Sequence, residues 1–268
     1  MTLRFTILGC GSSGGVPRIG NIWGRCDPAN PKNRRRRCSL LVERWSGDAV
    51  TRVLVDTSPD VREQLLDADV DSLDGVVYTH DHADHIHGID DLRVLFLNLG
   101  RKIDVWADAR TEAILKLRFG YAFEALAGQN YPPFLTLHQL TVGRPFTIDG
   151  PAGPVEIVAF DQVHGDIRSL GFRFGDVAYS SDLNDLPEAS LPALRNLDVW
   201  IVDALRDTPH PTHFSVDDAL SWIRRLGPRR AILTNMHIDL DYDTLRNSLP
   251  ANIEPAFDGM VIKPLSRD

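Results

Sequence analysis

The side chains best suited to chemistry follow a short apolar run, VVY, and are the metal ligands His80, His82, Asp84 and His85. His80 and His82 point the same way if the backbone between them is extended. Asp84 and His85 then fall where the next helix begins, so two pairs of ligands can face one small volume. A surface cluster is the alternative, but three of the chain's nine histidines lie within six residues here. The segment therefore predicts a metal site.

Three further candidate ligands lie far apart in the sequence, each at the end of a strand-like run: His164, Asp182 and His237. Each alone would more often be a structural residue, but strand ends can bring all three to one sheet edge. With the cluster above they make five histidines and two aspartates, enough for two metal ions. Imidazole and carboxylate suit Zn²⁺, Mn²⁺ or Fe²⁺, and no thiolate lies nearby. We expect two divalent ions, Zn²⁺ or Mn²⁺, and the sequence does not choose between them.

The elements that must position these residues are short and of both types. The sequence predicts strands over 4–8, 39–43, 51–55, 76–79, 103–106, 155–160, 169–174, 177–180, 199–202 and 231–234. It predicts helices over 60–67, 86–97, 109–120, 188–195, 216–226 and 242–248. Pro- and Gly-rich turns separate these elements, and no linker is long enough to divide two domains. This mixture favours a layered α/β protein with mixed or antiparallel sheets.

The ligand pattern resembles that of the metallo-β-lactamase superfamily over essentially the whole chain: His80-x-His82-x-Asp84-His85, then His164, Asp182 and His237. The resemblance implies a four-layer αββα sandwich, of class α/β (α+β), as a single domain over residues 1–268. It also implies a dinuclear site, in which His80, His82 and His164 hold one metal ion. Asp84, His85 and His237 then hold the other, and Asp182 bridges. A carboxylate at position 182 is more similar to the phosphodiesterase and ribonuclease branches than to the zinc lactamases.

Two further segments, GCGSSGGVP at 9–17 and GIDDLR at 88–93, are similar to those of PhnP-type phosphodiesterases. That resemblance implies hydrolysis of a small cyclic phosphate or a nucleotide-like phosphodiester, since the family opens phosphoribosyl 1,2-cyclic phosphate. One feature departs from the family, whose structural zinc site uses clustered cysteines near the N-terminus. Only Cys26 and Cys38 remain here, separated by eleven residues. We expect no structural zinc, and the exact substrate stays open.

The expected reaction is attack on phosphorus by a hydroxide that bridges the two ions, because metal binding lowers the pKa of water to near 7. The leaving alkoxide benefits from a proton donor, typically worth about 10²–10⁴-fold in rate. His213 is the candidate acid, and Asp203, which ends the run VWIV, would orient and charge it. The pair is similar to the acid–base pair of the superfamily's tRNA 3′-processing nucleases. Asp84 is the third residue predicted to be catalytic. Ser215 instead has the position of a helix N-cap, with Asp218 completing a capping box.

Other residues are candidates for supporting the metal ligands or contacting the substrate. Asp56, which ends the run VLV, is expected to accept a hydrogen bond from a ligand imidazole and fix its tautomer. The alternative for Asp56 is an N-cap of the helix that starts near Pro59. Arg93 could contact a phosphate or pair with Asp90 at helical spacing.

The letters GxGxxG at 9–14 match the dinucleotide-binding fingerprint, but the following GVPRIG is poor helix material. No acidic residue ends a second strand about 20 positions on, as a ribose partner would require. We expect a flexible loop that approaches the ligand or the metal site. Ser12 and Ser13 are its candidate substrate contacts. The arginine run at 34–37 is expected to be a solvated basic turn, with contact to a substrate phosphate as the alternative.

Composition and net charge exclude several classes of protein. The chain has 268 residues, 43% of them hydrophobic and 25% charged, which is typical of globular proteins and excludes a disordered or fibrous chain. The net charge of −8 does not suit a protein that coats nucleic acid. No apolar run reaches the ~18 residues of a membrane span, and the N-terminus leads into only about five or six apolar residues, too few for a signal peptide. The three cysteines, Cys10, Cys26 and Cys38, are odd in number and form no CxxC, which favours reduced thiols.

We therefore expect a cytoplasmic enzyme whose partner is a small phosphate ester, with no membrane or extended nucleic acid, and a homodimer is compatible with the sequence. A tRNA 3′-processing-type endoribonuclease is one alternative, but only seventeen residues separate His164 and Asp182, too few for that branch's basic arm. A metal-dependent ligand-binding protein with little turnover is another, although binding alone needs no proton donor such as His213. A redox iron protein is a minor option, because no flavin-binding domain accompanies the ligands.

Overall fold

The computed structural model describes residues 2–125, 128 and 131–264. The strands in these residues are β1 (Thr2–Gly9), β2 (Ser39–Ser46), β3 (Ala49–Val55), β4 (Gly75–Val77), β5 (Ile103–Ala107), β6 (Leu135–Gln139), β7 (Phe146–Ile148), β8 (Val155–His164), β9 (Ile167–Phe174), β10 (Val177–Ser180), β11 (Val199–Asp203), β12 (Arg230–Thr234), β13 (Ile253–Pro255) and β14 (Val261–Ile262). The α-helices are α1 (Val61–Asp67), α2 (Ala83–Ile86), α3 (Leu92–Leu99), α4 (Ala109–Phe123), α5 (Val216–Leu226) and α6 (Tyr242–Ser248). Short 3₁₀ segments span Pro31–Asn33, Ile89–Asp91 and Glu188–Leu194.

The strands form two seven-stranded mixed sheets, ordered β14-β1-β2-β3-β4-β5-β6 and β13-β12-β11-β10-β9-β8-β7. In the first sheet the pairs from β1 to β3 are antiparallel, and those from β3 to β6 are parallel. In the second sheet β7 to β10 are antiparallel, and β10 to β13 are parallel. The parallel half of each sheet therefore brings several carboxyl ends of strands to one edge.

The burial of successive strand residues shows how the layers pack, because neighbouring side chains in a strand point to opposite faces. Val53 of β3 lies in the apolar cluster shared by the two sheets, whereas the next residue, Leu54, lies in the cluster beneath α1, α3 and α4. Leu92 of α3 is fully buried in that outer cluster. On the second sheet, Ala219 and Ile223 bury one stripe of α5 against the strands. The predicted αββα sandwich is thereby confirmed.

Two predicted helices differ from the structure. The segment predicted as one helix over 86–97 is divided into α2 and α3, because Gly88 packs tightly on another part of the chain. A Cβ atom at Gly88 would lie 2.0 Å from the carbonyl oxygen of Ser58. The segment predicted over 188–195 is a 3₁₀ helix that contains Pro192, which cannot donate a backbone hydrogen bond.

The strands that the sequence did not predict lie at or near the sheet edges: β6, β7, β13 and β14. They are two to five residues long, and β13 ends in Pro255. Such short segments give little alternation from which to predict a strand. The strand predicted over 76–79 ends earlier, at Val77. Within the described residues, no helix is both long and apolar enough to cross a membrane.

Candidate metal centre

The candidate centre lies where the two sheets meet, at the carboxyl ends of their strands. The first sheet contributes the segment after β4, in which His82 keeps an extended backbone (φ −70°, ψ 149°) and immediately precedes α2. Asp84 and His85 lie in α2, as predicted. The second sheet contributes His164 as the last residue of β8 and Asp182 just beyond β10.

Five of the seven predicted ligands, together with His213, place their ligand atoms within 4.8 Å of one another in groups of three. These groups are His80–His82–His164, His80–His85–Asp182 and His164–Asp182–His213. The Nε2 atom of His85 lies 3.2 Å from Asp182 Oδ1, and that of His164 lies 3.8 Å from Asp182 Oδ2. Asp182 thus lies between two sets of histidines, which is where a bridging carboxylate is needed.

Hydrogen bonds at Nδ1 orient the imidazoles of the first sheet. His85 Nδ1 donates to Asp56 Oδ2 at 2.7 Å. His80 Nδ1 donates to Thr79 Oγ1 at 2.9 Å, and that hydroxyl donates in turn to the same Asp56 oxygen at 2.7 Å. The predicted contact between Asp56 and a ligand imidazole is present, and the N-cap position of α1 is occupied by Asp60 instead. One buried carboxylate therefore fixes two candidate ligands.

These bonds leave the Nε2 atoms of His80 and His85 facing Asp182, and on each neutral ring this nitrogen has a lone pair for a metal ion. Both atoms are buried, and neither has a hydrogen-bond partner among the described residues. A buried acceptor without a partner is costly, and a metal ion satisfies several imidazoles and a carboxylate together. The donor set of nitrogen and oxygen atoms therefore fits divalent metal ions such as Zn²⁺ or Mn²⁺.

The electrostatics of the centre agree with this fit. Burial lowers the pKa of His80 well below its ordinary value and also lowers that of His164, so both imidazoles are neutral and can coordinate a cation. Burial opposes ionisation of Asp182, but His85 and His213 hold the pKa of this carboxyl well below its usual range. Burial also opposes protonation of His85, but the carboxylates around it raise its pKa well above the ordinary value. A proton and a metal ion therefore compete for His85.

Asp84 and His237 lie at the margin of the tight ligand groups. Asp84 Oδ2 is 3.5 Å from His85 Nε2. His237 lines the same cavity as Asp84 and Asp182, a space of about 580 Å³. Its Nδ1 donates to Asp239 Oδ2 at 2.8 Å, and its Nε2 contacts the guanidinium of Arg18. The predicted assignment of His237 as a ligand stays a prediction.

His213 and Asp203 form the predicted pair. His213 Nδ1 donates to Asp203 Oδ2 at 2.8 Å, and the same nitrogen lies 3.9 Å from Asp182 Oδ2. Asp203 is fully buried, and this burial raises its pKa to about 7. Burial opposes protonation of His213, but Asp203 and Asp182 raise its pKa to about 9. His213 also lines the cavity, so it can hold a proton there at neutral pH.

Several residues that the sequence analysis did not assign support the centre. Asn235 is buried with φ +59°, and its amide nitrogen lies 3.4 Å from Asp182 Oδ1 and 3.1 Å from His213 Nδ1. The carbonyl oxygen of Thr212 accepts a hydrogen bond from His164 Nδ1 at 2.7 Å. Asp239 orients His237, and its position two residues further along the chain could have indicated this role.

The mouth of the cavity carries cationic and polar side chains. Arg18, Arg206, Asp166 and His210 line it together with the ligands. Arg18 and Ile22 are joined by backbone hydrogen bonds in a small hairpin. The guanidinium of Arg206 donates to two carbonyl oxygens of its own loop. Within the described residues no carboxylate forms an ion pair with either arginine, so both can face an anionic ligand.

The remaining predicted residues divide between the cavity and the surface. Ser12 and Ser13 line the cavity, as expected of the glycine-rich loop. Arg93 is not among the lining residues, and its guanidinium pairs with Asp90 at 2.8 Å, the alternative that helical spacing indicated. Ser215 caps α5 in the predicted capping box.

The prediction of a solvated basic turn at 34–37 is wrong for three of its four arginines. Arg35 is buried and donates to the carbonyl oxygen of His237 at 3.3 Å. Arg36 pairs with carboxylates, and Arg37 pairs with Asp60 at 2.9 Å. The run instead attaches the N-terminal excursion, residues 10–38 between β1 and β2, to the rest of the fold. All three cysteines are free and buried.

Comparison with known proteins places this geometry in a family. A profile described as "Beta-lactamase superfamily domain" matches residues 51–238. A crystal structure described as "a New Diphosphatase from the PhnP Family" superposes with a TM-score of 0.84, at 34% identity and over 97% of each chain. The short form of human tRNase Z has a TM-score of 0.65 over 97% of this chain and 98% of that one. Its identity is 16%, so this likeness concerns the fold alone.

Curated relatives are matched over part of their length. An octanoyltransferase of Porphyromonas gingivalis is 32% identical over 264 residues, which is 96% of this chain and 51% of that protein. This chain thus spans about half the length of that relative. Two phage anti-Pycsar proteins are matched over 40% and 26% of their lengths.

Proposed function

This chain is a PhnP-like hydrolase of the metallo-β-lactamase superfamily, and we propose that it is a metal-dependent phosphodiesterase acting on a small cyclic phosphate or a nucleotide-like phosphodiester. The cavity of about 580 Å³ is large enough for such a ligand and too small to enclose a folded nucleic acid. Its unpaired arginines, Arg18 and Arg206, favour an anionic substrate.

In this proposal two divalent ions share the centre. His80, His82 and His164 would hold one ion, Asp84, His85 and His237 would hold the other, and the carboxylate of Asp182 would be available to both. When bound, the ions supply positive charge for the phosphoryl oxygens and make water nucleophilic near neutral pH. The bonds from Asp56, Thr79 and the Thr212 carbonyl hold the imidazoles in the tautomer that such binding needs. The proton for the leaving group would come from a side chain of the protein.

The observation that carries the proposal is the contact of 2.8 Å between His213 and buried Asp203 in the wall of this cavity. Asp203 accepts the Nδ1 hydrogen, so the Nε2 hydrogen of the imidazolium is the one available to the substrate. An alkoxide that leaves a phosphodiester is strongly basic and takes up a proton as it departs. A positioned imidazolium next to the ligands is the group that this step requires.

A second candidate reaction is cleavage of a diphosphate, which the similarity to a PhnP-family diphosphatase at 34% identity favours. A departing phosphate group is a much weaker base than an alkoxide and needs little help from an acid. The two reactions therefore differ in how strongly they depend on His213. The pair with Asp203 favours the diester.

The other activities have less support in this chain. Between His164 and Asp182 the chain forms β9, β10 and short turns, so it has no room for an RNA-binding arm there. Acyl transfer through a cysteine needs a reactive thiolate. Burial raises the pKa of Cys10 and Cys38 well above the ordinary value and raises that of Cys26.

The test is a screen of Zn²⁺- and Mn²⁺-loaded protein, with metal content measured on the same sample. Cyclic phosphates, linear diesters, diphosphates, a precursor tRNA and a thioester are compared at equal concentration. We expect the highest kcat/KM with a cyclic or nucleotide-like diester. Faster cleavage of a diphosphate or of the tRNA would overturn the proposal, as would a lack of hydrolysis at two bound ions per chain.

A further inference from the structure

A cleft next to the candidate metal centre has no role in the function proposed above. Its volume is about 620 Å³. It shares His82 and Ala83, both exposed, with the cavity of the centre. Its other walls are Asp81, His87, Arg110, Arg118 and Phe119. A molecule held at the centre can therefore extend past His82 into this cleft.

Arg118 gives the cleft a cation that can bind an anion. Its Nη1 donates to the carbonyl oxygen of Asp81 at 3.1 Å, which holds the side chain against the loop after β4. No carboxylate among the described residues forms an ion pair with Arg118, whereas Arg110 lies 3.4 Å from Asp81 Oδ1. The exposed guanidinium keeps N–H groups free, and their planar fork matches a phosphate.

Phe119 adds an aromatic surface beside this cation. The backbone of α4 is non-helical at Phe119 (φ −128°, ψ 32°). In an unbroken helix consecutive side chains point about 100° apart, but here Arg118 and Phe119 both line one cleft. The ring of Phe119 is half-buried and lies 5.7 Å from that of His87, edge to face. A flat, unsaturated group entering the cleft would contact these rings.

We propose that this cleft is a second substrate subsite that binds a nucleoside phosphate. The base stacks on the ring of Phe119 and meets the ring of His87 edge to face, because these two rings are nearly perpendicular. Arg118 binds a phosphate oxygen. The inference rests on the proposed phosphodiesterase function and narrows its substrate class. The part of the substrate that extends from the scissile bond into the cleft would contain an aromatic base. A base and a phosphate on one molecule match an aromatic surface and an unpaired arginine on neighbouring residues.

The test compares two esters with the same leaving group: the 5′-p-nitrophenyl ester of thymidine 3′,5′-bisphosphate, whose 3′-phosphate is free to bind Arg118, and methyl p-nitrophenyl phosphate. The variants are Arg118→Gln, which keeps a donor for the Asp81 carbonyl, and Phe119→Leu, which keeps an apolar side chain. Leu117→Ala is the matched control, because Leu117 is 78% exposed on the same helix and is not among the cleft-lining residues. Thermal unfolding confirms that each variant is folded.

We expect each cleft variant to lower the ratio of kcat/KM for the thymidine ester to that for the methyl ester about tenfold. Leu117→Ala should keep the ratio of the unaltered enzyme. Calorimetric titration with thymidine 5′-monophosphate should show binding weakened about tenfold by the same two changes. An unchanged ratio together with unchanged nucleotide binding would reject the subsite and leave the phosphodiesterase standing. If neither ester is hydrolysed, the phosphodiesterase fails, while the titration still decides whether the cleft binds a nucleotide.

Discussion

His213 is held by Asp203 at one ring nitrogen and keeps the other for the cavity, so its role can be measured through the leaving group. Replacing His213 by Ala should lower the turnover of an alkyl phosphodiester about 10²–10⁴-fold, because the departing alkoxide loses its proton donor. A nitrophenyl ester should lose far less, since its leaving group is stable without a proton. The measurement is kcat for both esters at saturating metal.

His210→Ala is the control for this change. His210 lines the same cavity, but its Nδ1 accepts from the backbone of Thr212 at 3.3 Å rather than contacting a carboxylate. It should lower both turnover numbers to a similar and smaller extent. Equal large losses for the two esters in His213→Ala would remove the acid role from His213.

Asp56 is the residue through which the fold controls His80 and His85. Asp56→Asn keeps the volume but removes the charge that accepts bonds from His85 Nδ1 and Thr79. Loss of such outer contacts typically weakens metal binding about 10–100-fold, and we expect that range here. Calorimetric titration with Zn²⁺ and metal analysis after dialysis would measure it. Asp67→Asn, at an exposed ion pair with Arg36, should bind metal like the parent, and equal affinity in Asp56→Asn would contradict the prediction.

For individual residues, the sequence predicted the candidate metal ligands better than it predicted the groups that orient them. His80, His85 and Asp182 are ligand types placed after apolar strands, and the structure brings them together. The Thr212 carbonyl could not be predicted, since every residue has such a group and only the tertiary fold selects one. Asn235 depends on a left-handed backbone (φ +59°), which residue type alone does not specify.

Among the elements, the turn between α2 and α3 fixes the position of α2, the helix that contains Asp84 and His85. His85 O accepts from Thr57 N at 2.9 Å, and Gly88 N donates to Thr57 O at 2.9 Å. Gly88→Ala would place a Cβ atom 2.0 Å from Ser58 O, a backbone atom that cannot rotate away. We expect a loss of about 1–3 kcal/mol in the free energy of unfolding, from overpacking. Urea unfolding followed by circular dichroism measures it.

The matched change is Gly120→Ala in α4, where a Cβ atom would meet nothing within 4 Å. Alanine favours helix over glycine by up to about 1 kcal/mol, so this variant should be equal to or more stable than the parent. If Gly88→Ala behaved like Gly120→Ala, the close packing of Gly88 against Ser58 would not constrain the site.

The elements also show where prediction from sequence ends. Short apolar runs such as those of β10 and β11 were predicted to within one residue of their final bounds, because strands buried on both faces have a nearly continuous apolar sequence. The division of 86–97 into two helices was not predicted, because its apolar spacing continues across Gly88. The break follows from contact with Ser58, more than twenty residues away in sequence.

At the scale of the whole molecule, the centre exists only where the two sheets meet. The first sheet supplies His80, His82, Asp84 and His85, and the second supplies the remaining ligands and His213. Metal ions bound there would join the two halves of the sandwich. Metal binding should therefore be coupled to packing of the sheets as well as to catalysis.

A second connection between distant parts of the chain is polar. Residues 10–38 leave the first sheet and attach beside His237, where Arg35 donates to the carbonyl oxygen of a residue 202 positions later. Asn33 Nδ2 donates to Asp241 Oδ2 at 2.7 Å, and Tyr242 N donates to Asn33 Oδ1 at 2.8 Å. Asp241 also accepts from the backbone of Asp27 at 3.2 Å and caps α6 by accepting from Thr244 N at 3.0 Å. One carboxylate thus ties the excursion to the segment that carries a predicted ligand.

The charge on Asp241 makes this connection sensitive to acid. Burial raises its pKa, but the hydrogen bonds from Thr244, Asp27 and Asn33 outweigh burial and lower the pKa from 3.8 to about 2. A carboxyl whose pKa is depressed by folding stabilises the protein fully above 3.8, and this contribution is lost as the pH falls through about 2. Asp241→Asn keeps a residue suited to capping α6 and removes the charge.

We therefore expect Asp241→Asn to be less stable than the parent at pH 6, with the difference shrinking as the pH falls from about 4 towards 2. Urea unfolding of both proteins at pH 6, 4 and 3 measures this difference, and acid effects common to both, such as metal release, cancel. Asp217→Asn, an exposed position in the first turn of α5, should show no such trend. A difference that stays constant with pH would mean that Asp241 acts through the shape of its hydrogen bonds alone, and the excursion would not be held by charge.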